Sequence, residues 1–138
     1  DNGSSRAAST VALRRLCEKL GARIETQVVA ASLRHSDKAN VEELGGVKAS
    51  LLEEVLESEG AMLAGEVTVL PLFLGPSRQV TSGIVRAVQE AEEKMGVECK
   101  VASHLGYGDE GVAMLAGMLV EEVEGVLDRE GLGKADVV

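Results

Sequence analysis

Glu66-Val67-Thr68-Val69-Leu70-Pro71-Leu72-Phe73-Leu74, followed by Gly75-Pro76-Ser77-Arg78-Gln79-Val80, is the stretch whose reading decides the fold. Its β-branched and aliphatic run lies between Gly65 and Gly75-Pro76, long enough for a strand and too short for a buried helix. Helical spacing resumes at Val80, so residues 75–79 read as a turn from the carboxyl end of a strand into a helix. In open α/β sheets that edge is where ligands bind.

Outward from this strand the chain alternates. Upstream, residues 7–20 carry Val11, Leu13, Leu16, Cys17 and Leu20 at near-helical spacing, with Ser4 or Ser5 as N-cap and Gly21 as the stop. Residues 24–33 read as a strand, apolar through its centre as a sheet covered on both faces requires. Residues 34–46 are polar and end on glycine, a loop whose charges face water. Residues 48–58 set Leu51, Leu52, Val55 and Leu56 opposite glutamates, an amphipathic helix, and residues 60–65 read as a connector. Downstream, residues 81–95 continue as a helix ended by Gly96, residues 97–103 form a further strand, and residues 112–127 form a long helix. That last helix is expected to turn Leu115, Met118, Leu119, Val123 and Val126 into the core. The order implies an α/β fold with a small parallel sheet flanked by helices on both faces. Residues 1–128 are expected to form a single domain and residues 129–138 a flexible tail. Three strands are few for four helices, and a strand just before Asp1 would complete the pattern.

Composition narrows the function classes. The 138 residues suffice for one core, which is built from aliphatic residues because Phe73 and Tyr107 are the only aromatics. A net charge of −9, with no Lys/Arg cluster, argues against nucleic acid as partner. No apolar run reaches the roughly 18 residues of a membrane span. Cys17 and Cys99 lie far apart without CxxC spacing, which fits a soluble protein of a reducing compartment, cytoplasm or organelle stroma; one disulfide is the alternative.

Two motifs resemble a known family. Asp1-Asn2-Gly3-Ser4-Ser5-Arg6 is similar to the Asp-His-Gly-Ser-Arg turn after the first strand of CbiX-type sirohydrochlorin cobaltochelatases. Residues 71–80, Pro-Leu-Phe-Leu-Gly-Pro-Ser-Arg-Gln-Val, resemble that family's Pro-Leu-Phe-Leu-x-x-Gly-x-His-Val, and Leu105-Gly106 fits a weaker third signal. The resemblance implies a chelatase-like fold and a cleft that inserts a divalent metal (Co, Fe or Ni in transit) into a tetrapyrrole of cobalamin or sirohaem synthesis. It makes Asn2 and Gln79 the catalytic positions. Ser4, Ser5, Arg6, Phe73, Ser77, Arg78, Leu105 and Gly106 become candidates for substrate binding. Both family histidines are replaced. A neutral imidazole ligates divalent metals and titrates near neutrality, whereas an amide is a poor ligand and accepts no proton. The expected protein is therefore a tetrapyrrole-handling relative with little or no chelatase activity. The alternative is a non-enzymatic subunit of a larger assembly, its empty strand slot filled by a partner's strand. Family habit suggests a homodimer.

Other residues carry two readings each. His35 and His104, both just past strand ends, form either a relocated metal site with Asp37 or Asp109, or two exposed loop histidines. Residues 106–111 match GxGxxG, yet no following strand supplies the ribose-binding acid of a dinucleotide fold, so a structural turn is the better reading. Ser4, Ser5, Arg6, Ser77 and Arg78 sit at strand-to-helix turns, where they either cap helices or hold substrate carboxylates.

Overall fold

The computed structural model describes residues 1–131. Helix α1 spans Ala7–Ile24, α2 Leu52–Leu56 and α3 Glu59–Ala64; strand β1 follows at Glu66–Val69, then α4 at Ile84–Met95, β2 at Glu98–Val101 and α5 at Gly108–Glu130. Strands β1 and β2 are parallel, with Val67 opposite Cys99 and Val69 opposite Val101. The same register sets Glu66 against Glu98, and Lys100 Nζ offsets the like charges by lying 2.6 Å from Glu66 Oε2 and 3.8 Å from Glu98 Oε1. The architecture is α/β with a small parallel sheet.

The main core joins Leu52 and Leu56 of α2, Val69 of β1, and Ile84, Ala87, Val88 and Ala91 of α4. A second cluster packs Ala7 and Val11 of α1 against Ala39, Leu44 and Ala49. The polar stretch 34–46 is thus more than a solvated loop. It buries Ala39 and Leu44, and Arg14 of α1 fastens it by donating to the carbonyls of Leu44, Val47 and Lys48 at 3.2, 2.8 and 2.9 Å.

Several expectations are corrected. The sheet has two strands among the described residues instead of three, because residues 24–33 form no ladder. Helix α1 runs through Gly21 to Ile24 and ends on Glu25 in the left-handed region, φ 53°. Gly21 serves close packing, since a Cβ there would sit 2.8 Å from the Thr26 carbonyl. Beyond it, only Ser32 makes a strand-like bridge, to Leu51. A lone bridge lacks the repeated cross-strand bonds that define a strand.

Strand β1 stops at Val69, short of Leu74, because Pro71 has no N–H to donate to a ladder. The helix expected over 48–58 is reduced to α2, and after a break the expected connector over 60–65 holds most of α3. Ser58 accounts for the break: its Oγ donates to the Val55 carbonyl and accepts from Ala61 N–H, closing one helix and capping the next. Helix α4 is preceded by a π-turn at Gln79–Gly83, where Thr81 and Ser82 hydroxyls donate back to the Ser77 and Arg78 carbonyls. Such back-bonding competes with the regular helical ladder.

The largest correction concerns α5. Of its expected core stripe, Met118, Leu119, Val123 and Val126 are exposed and Leu115 is half-buried; only Leu127 of this helix is buried. The helix also extends to Glu130, two residues into the expected tail, whose residues 132–138 lie outside the described part. No described helix is long and apolar enough to cross a membrane.

Candidate functional site

The site is assembled where the chain leaves its parallel segments. Asp1 and Asn2 lie beside residues 31–34: Leu33 N–H donates to the Asp1 carbonyl at 2.9 Å and Arg34 N–H to the Asn2 carbonyl at 3.2 Å. Ser32 Oγ adds a 2.7 Å bond to Asp1 Oδ1. Gly3 makes this approach feasible. Its φ is +88°, and a Cβ would fall 1.8 Å from the Arg34 carbonyl oxygen. On the other flank, Ser32 donates to Ser50 and accepts from Leu52 through backbone bonds of 3.1 and 2.8 Å.

The turn after β1 is tied to the turn after β2 in the same manner. Leu105 N–H donates to the Phe73 carbonyl at 3.0 Å. A Cβ on Gly106 would lie 2.0 Å from the Leu74 carbonyl oxygen, and one on Gly111 2.5 Å from that of Leu105. These two glycines of the GxGxxG match are therefore occupied by the chain's own backbone, which supports the structural-turn reading. Gly108 opens α5 at φ +66°.

A hollow of about 140 Å³ is lined by Leu33, Arg34, Leu52, Glu53, Gln79, Gly83, Arg86 and Ala87. Gln79 belongs to it directly. Asn2 joins through Arg34, whose Nε donates to Asn2 Oδ1 at 3.3 Å. Asn2 thus bonds to one lining residue, Arg34, and Gln79 is another; Asn2 itself does not line the hollow. The Gln79 carboxamide lies over Gly83, where a Cβ would come within 2.7 Å of Oε1. Two arginines against one glutamate make the lining locally cationic in a chain of net charge −9.

None of the remaining sequence candidates lines the hollow. Ser4 Oγ accepts from Arg6 N–H at 3.1 Å in a turn before α1, whose N-cap is Arg6 and not the expected Ser4 or Ser5, and Ser77 Oγ accepts from Val80 N–H at 3.4 Å. Ser5, Arg6 and Arg78 are exposed. Phe73 is half-buried against the main core. Leu105 and Gly106 are half-buried in the turn that precedes α5.

The histidines occupy different surroundings. His35 is exposed in the left-handed region, φ 69°, at the start of the 3₁₀ turn Ser36–Lys38. His104 is half-buried; its ring meets Tyr107 edge-on at 5.7 Å, and its Nδ1 is buried without a hydrogen-bond partner. Among the described residues, no group of three or more His, Cys, Asp or Glu side chains is placed to hold a metal ion. Cys17 and Cys99 are free thiols, and burial raises the pKa of each.

Sequence reasoning missed Arg34, Glu53 and Arg86. A signal for Arg86 was present, because Gln79, Gly83, Arg86 and Ala87 recur at the spacing of one helical face. None existed for Arg34, whose role depends on the fold bringing Asn2 beside it.

Comparison with curated proteins and with solved structures gives no match. A family model described as CbiX matches residues 1–122, a span that includes both motif turns and every residue lining the hollow. The chain therefore belongs to the CbiX family of chelatase-like, tetrapyrrole-handling proteins.

Proposed function

We propose that this protein binds a carboxylate-rich tetrapyrrole of the sirohydrochlorin type in the cleft between the Asn2 and Gln79 turns, and that it does not insert metal. The observation that carries this reading is the Asn2–Arg34 hydrogen bond at the hollow shared with Gln79. Metal insertion needs donors for a dication and acceptors for two pyrrole protons. Two amides provide neither at neutral pH, and the permanently charged guanidinium of Arg34 beside Asn2 repels the incoming cation. Substrate binding asks less of the site. Arg6 and Arg78 are exposed cations of the two motif turns, and the N–H groups near Ser4, Ser5 and Ser77 offer donors to acetate and propionate arms. His35 and His104 are assigned to the loop structure in this reading. Cobalt or nickel is then a cargo that the protein does not handle.

The test is an absorbance titration with sirohydrochlorin, followed by a Co²⁺-insertion assay. Binding at micromolar concentration with no insertion is expected, and the double variant Asn2→His, Gln79→His should gain measurable insertion. Absence of binding, or insertion by the unaltered protein, would overturn the proposal.

A second reading, self-association through α5, is favoured by the exposure of Val112, Met114, Met118, Leu119 and Val120 on that helix. Apolar side chains left exposed in such number on one helix mark an interaction surface. Sedimentation should then show a dimer that Leu119→Glu dissociates. A monomer at all concentrations would count against it.

A further inference from the structure

We propose that Arg34 and Arg86 form a receptor for a single carboxylate, and that the hollow between them takes one carboxylate arm of the tetrapyrrole. This deepens the reading above and rests on it for the identity of the ligand. Three features of the hollow point to an anion of this class.

The first is unmatched charge. Arg34 spends Nε on a neutral amide, Asn2 Oδ1, which orients the guanidinium without neutralising it. Arg86 pairs with Glu90 at 3.7 Å, with the arginine side chain 74% exposed, and shares the lining with Glu53. At that distance the contact is an ion pair without a hydrogen bond, and such exposed pairs are weak. Both guanidinium forks keep donors for the planar, bidentate pairing that carboxylates favour.

The second is size. Pockets for whole drug-sized ligands span roughly 300–1,000 Å³. At about 140 Å³ this hollow admits an acetate- or propionate-sized group, while the ring to which it is attached lies outside. The third is selectivity. Glu53 lines the same hollow and opposes surplus negative charge, so a monoanionic carboxylate is favoured over phosphate or sulfate. Gln79 completes the set with a neutral amide donor at the position where the family carries imidazole. The exchange of both histidines for amides then has a physical sense: the rim is converted from cation capture to anion capture.

The experiment compares sirohydrochlorin, its fully esterified methyl ester and glutarate as ligands for the protein and for its Arg34→Ala, Arg86→Ala and Arg23→Ala variants. Circular dichroism melts establish that each is folded, and Arg34→Lys serves as a conservative partner. For the acid form, each arginine loss from the hollow should raise Kd roughly tenfold, the scale of one charge-assisted hydrogen bond at a wet site. Added salt should shrink this difference. Arg23→Ala should leave Kd unchanged, and the ester should bind the protein and both hollow variants with equal weakness. Acid-form Kd values for Arg34→Ala and Arg86→Ala within about twofold of the parent, below the tenfold scale of that bond, would overturn the receptor while leaving tetrapyrrole binding intact. If sirohydrochlorin fails to bind but glutarate shifts the Gly83 and Arg34 amide resonances in the parent and not in the variants, the receptor stands and its ligand is a free carboxylate. No response to any carboxylate overturns it outright.

Discussion

Replacing Gly3 by alanine tests whether the Asp1–Asn2 turn is held against residues 32–34 as described. The new Cβ would lie 1.8 Å from the Arg34 carbonyl oxygen and 2.9 Å from Ser32 Cβ. Ordinary contact begins near 3.4 Å, so the two segments must part by about 1.6 Å, the difference of those distances. The bonds from Leu33 N–H to Asp1 and from Arg34 N–H to Asn2, now 2.9 and 3.2 Å, would then open beyond hydrogen-bonding range. Two lost backbone bonds at about 1 kcal/mol each, plus about 1–2 kcal/mol for a Cβ at positive φ, give a destabilisation of about 3 kcal/mol. For a slope near ~1.5 kcal/mol/M, the urea midpoint should fall by roughly 2 M. Circular dichroism at increasing urea measures this, and the same samples titrated with sirohydrochlorin should show weakened binding because Asn2 no longer orients Arg34. A midpoint within roughly 0.3 M of the parent, under about 0.5 kcal/mol on that slope, would refute the close approach and with it the link from Asn2 through Arg34 to the hollow.

Gly83→Ala should separate stability from binding: its φ of −65° suits alanine, so the fold should gain up to about 1 kcal/mol. The methyl group would displace the Gln79 carboxamide, and tetrapyrrole affinity should fall in the same titration. Glu54 accepts from Leu51 N–H at 2.9 Å and from Lys48 at 2.8 Å, and these bonds, the backbone one first, hold its carboxyl below the ordinary value of 4.5. Its stabilisation is present above that value and lost as pH falls through the depressed one, so Glu54→Ala should be less stable than the parent at pH 7, with the gap closing in acid unfolding curves. Burial holds both Cys17 and Cys99 above the usual thiol pKa, so alkylation at pH 7.5 should be slower than for glutathione; rapid labelling of either would contradict the packing described.

Much of the fold was legible because it is written in short-range patterns. Helical spacing marks α1, α4 and α5, and the β-branched run marks β1, each within a residue window that needs no partner to be read. The errors fall where an outcome depends on what lies across the fold. Residues 24–33 have strand composition, but without a continuous ladder on either flank they make a single bridge at Ser32. Gly21 looks like a stop and is instead a contact surface for the returning chain. The stripe on α5 has core composition, yet among the described residues no element covers Met118 or Leu119.

The candidate site divides along the same line. The identity of the two motif turns, with Asn2 and Gln79 in them, is a property of contiguous residues, and the sequence alone determined it. Nothing in that order of residues could place Arg34, separated from Asn2 by 32 positions and from Gln79 by 45, beside Asn2 and in one hollow with Gln79. Tertiary structure decided that, because the charge of a cleft is the sum of side chains that backbone pairing and close glycine contacts bring to one place.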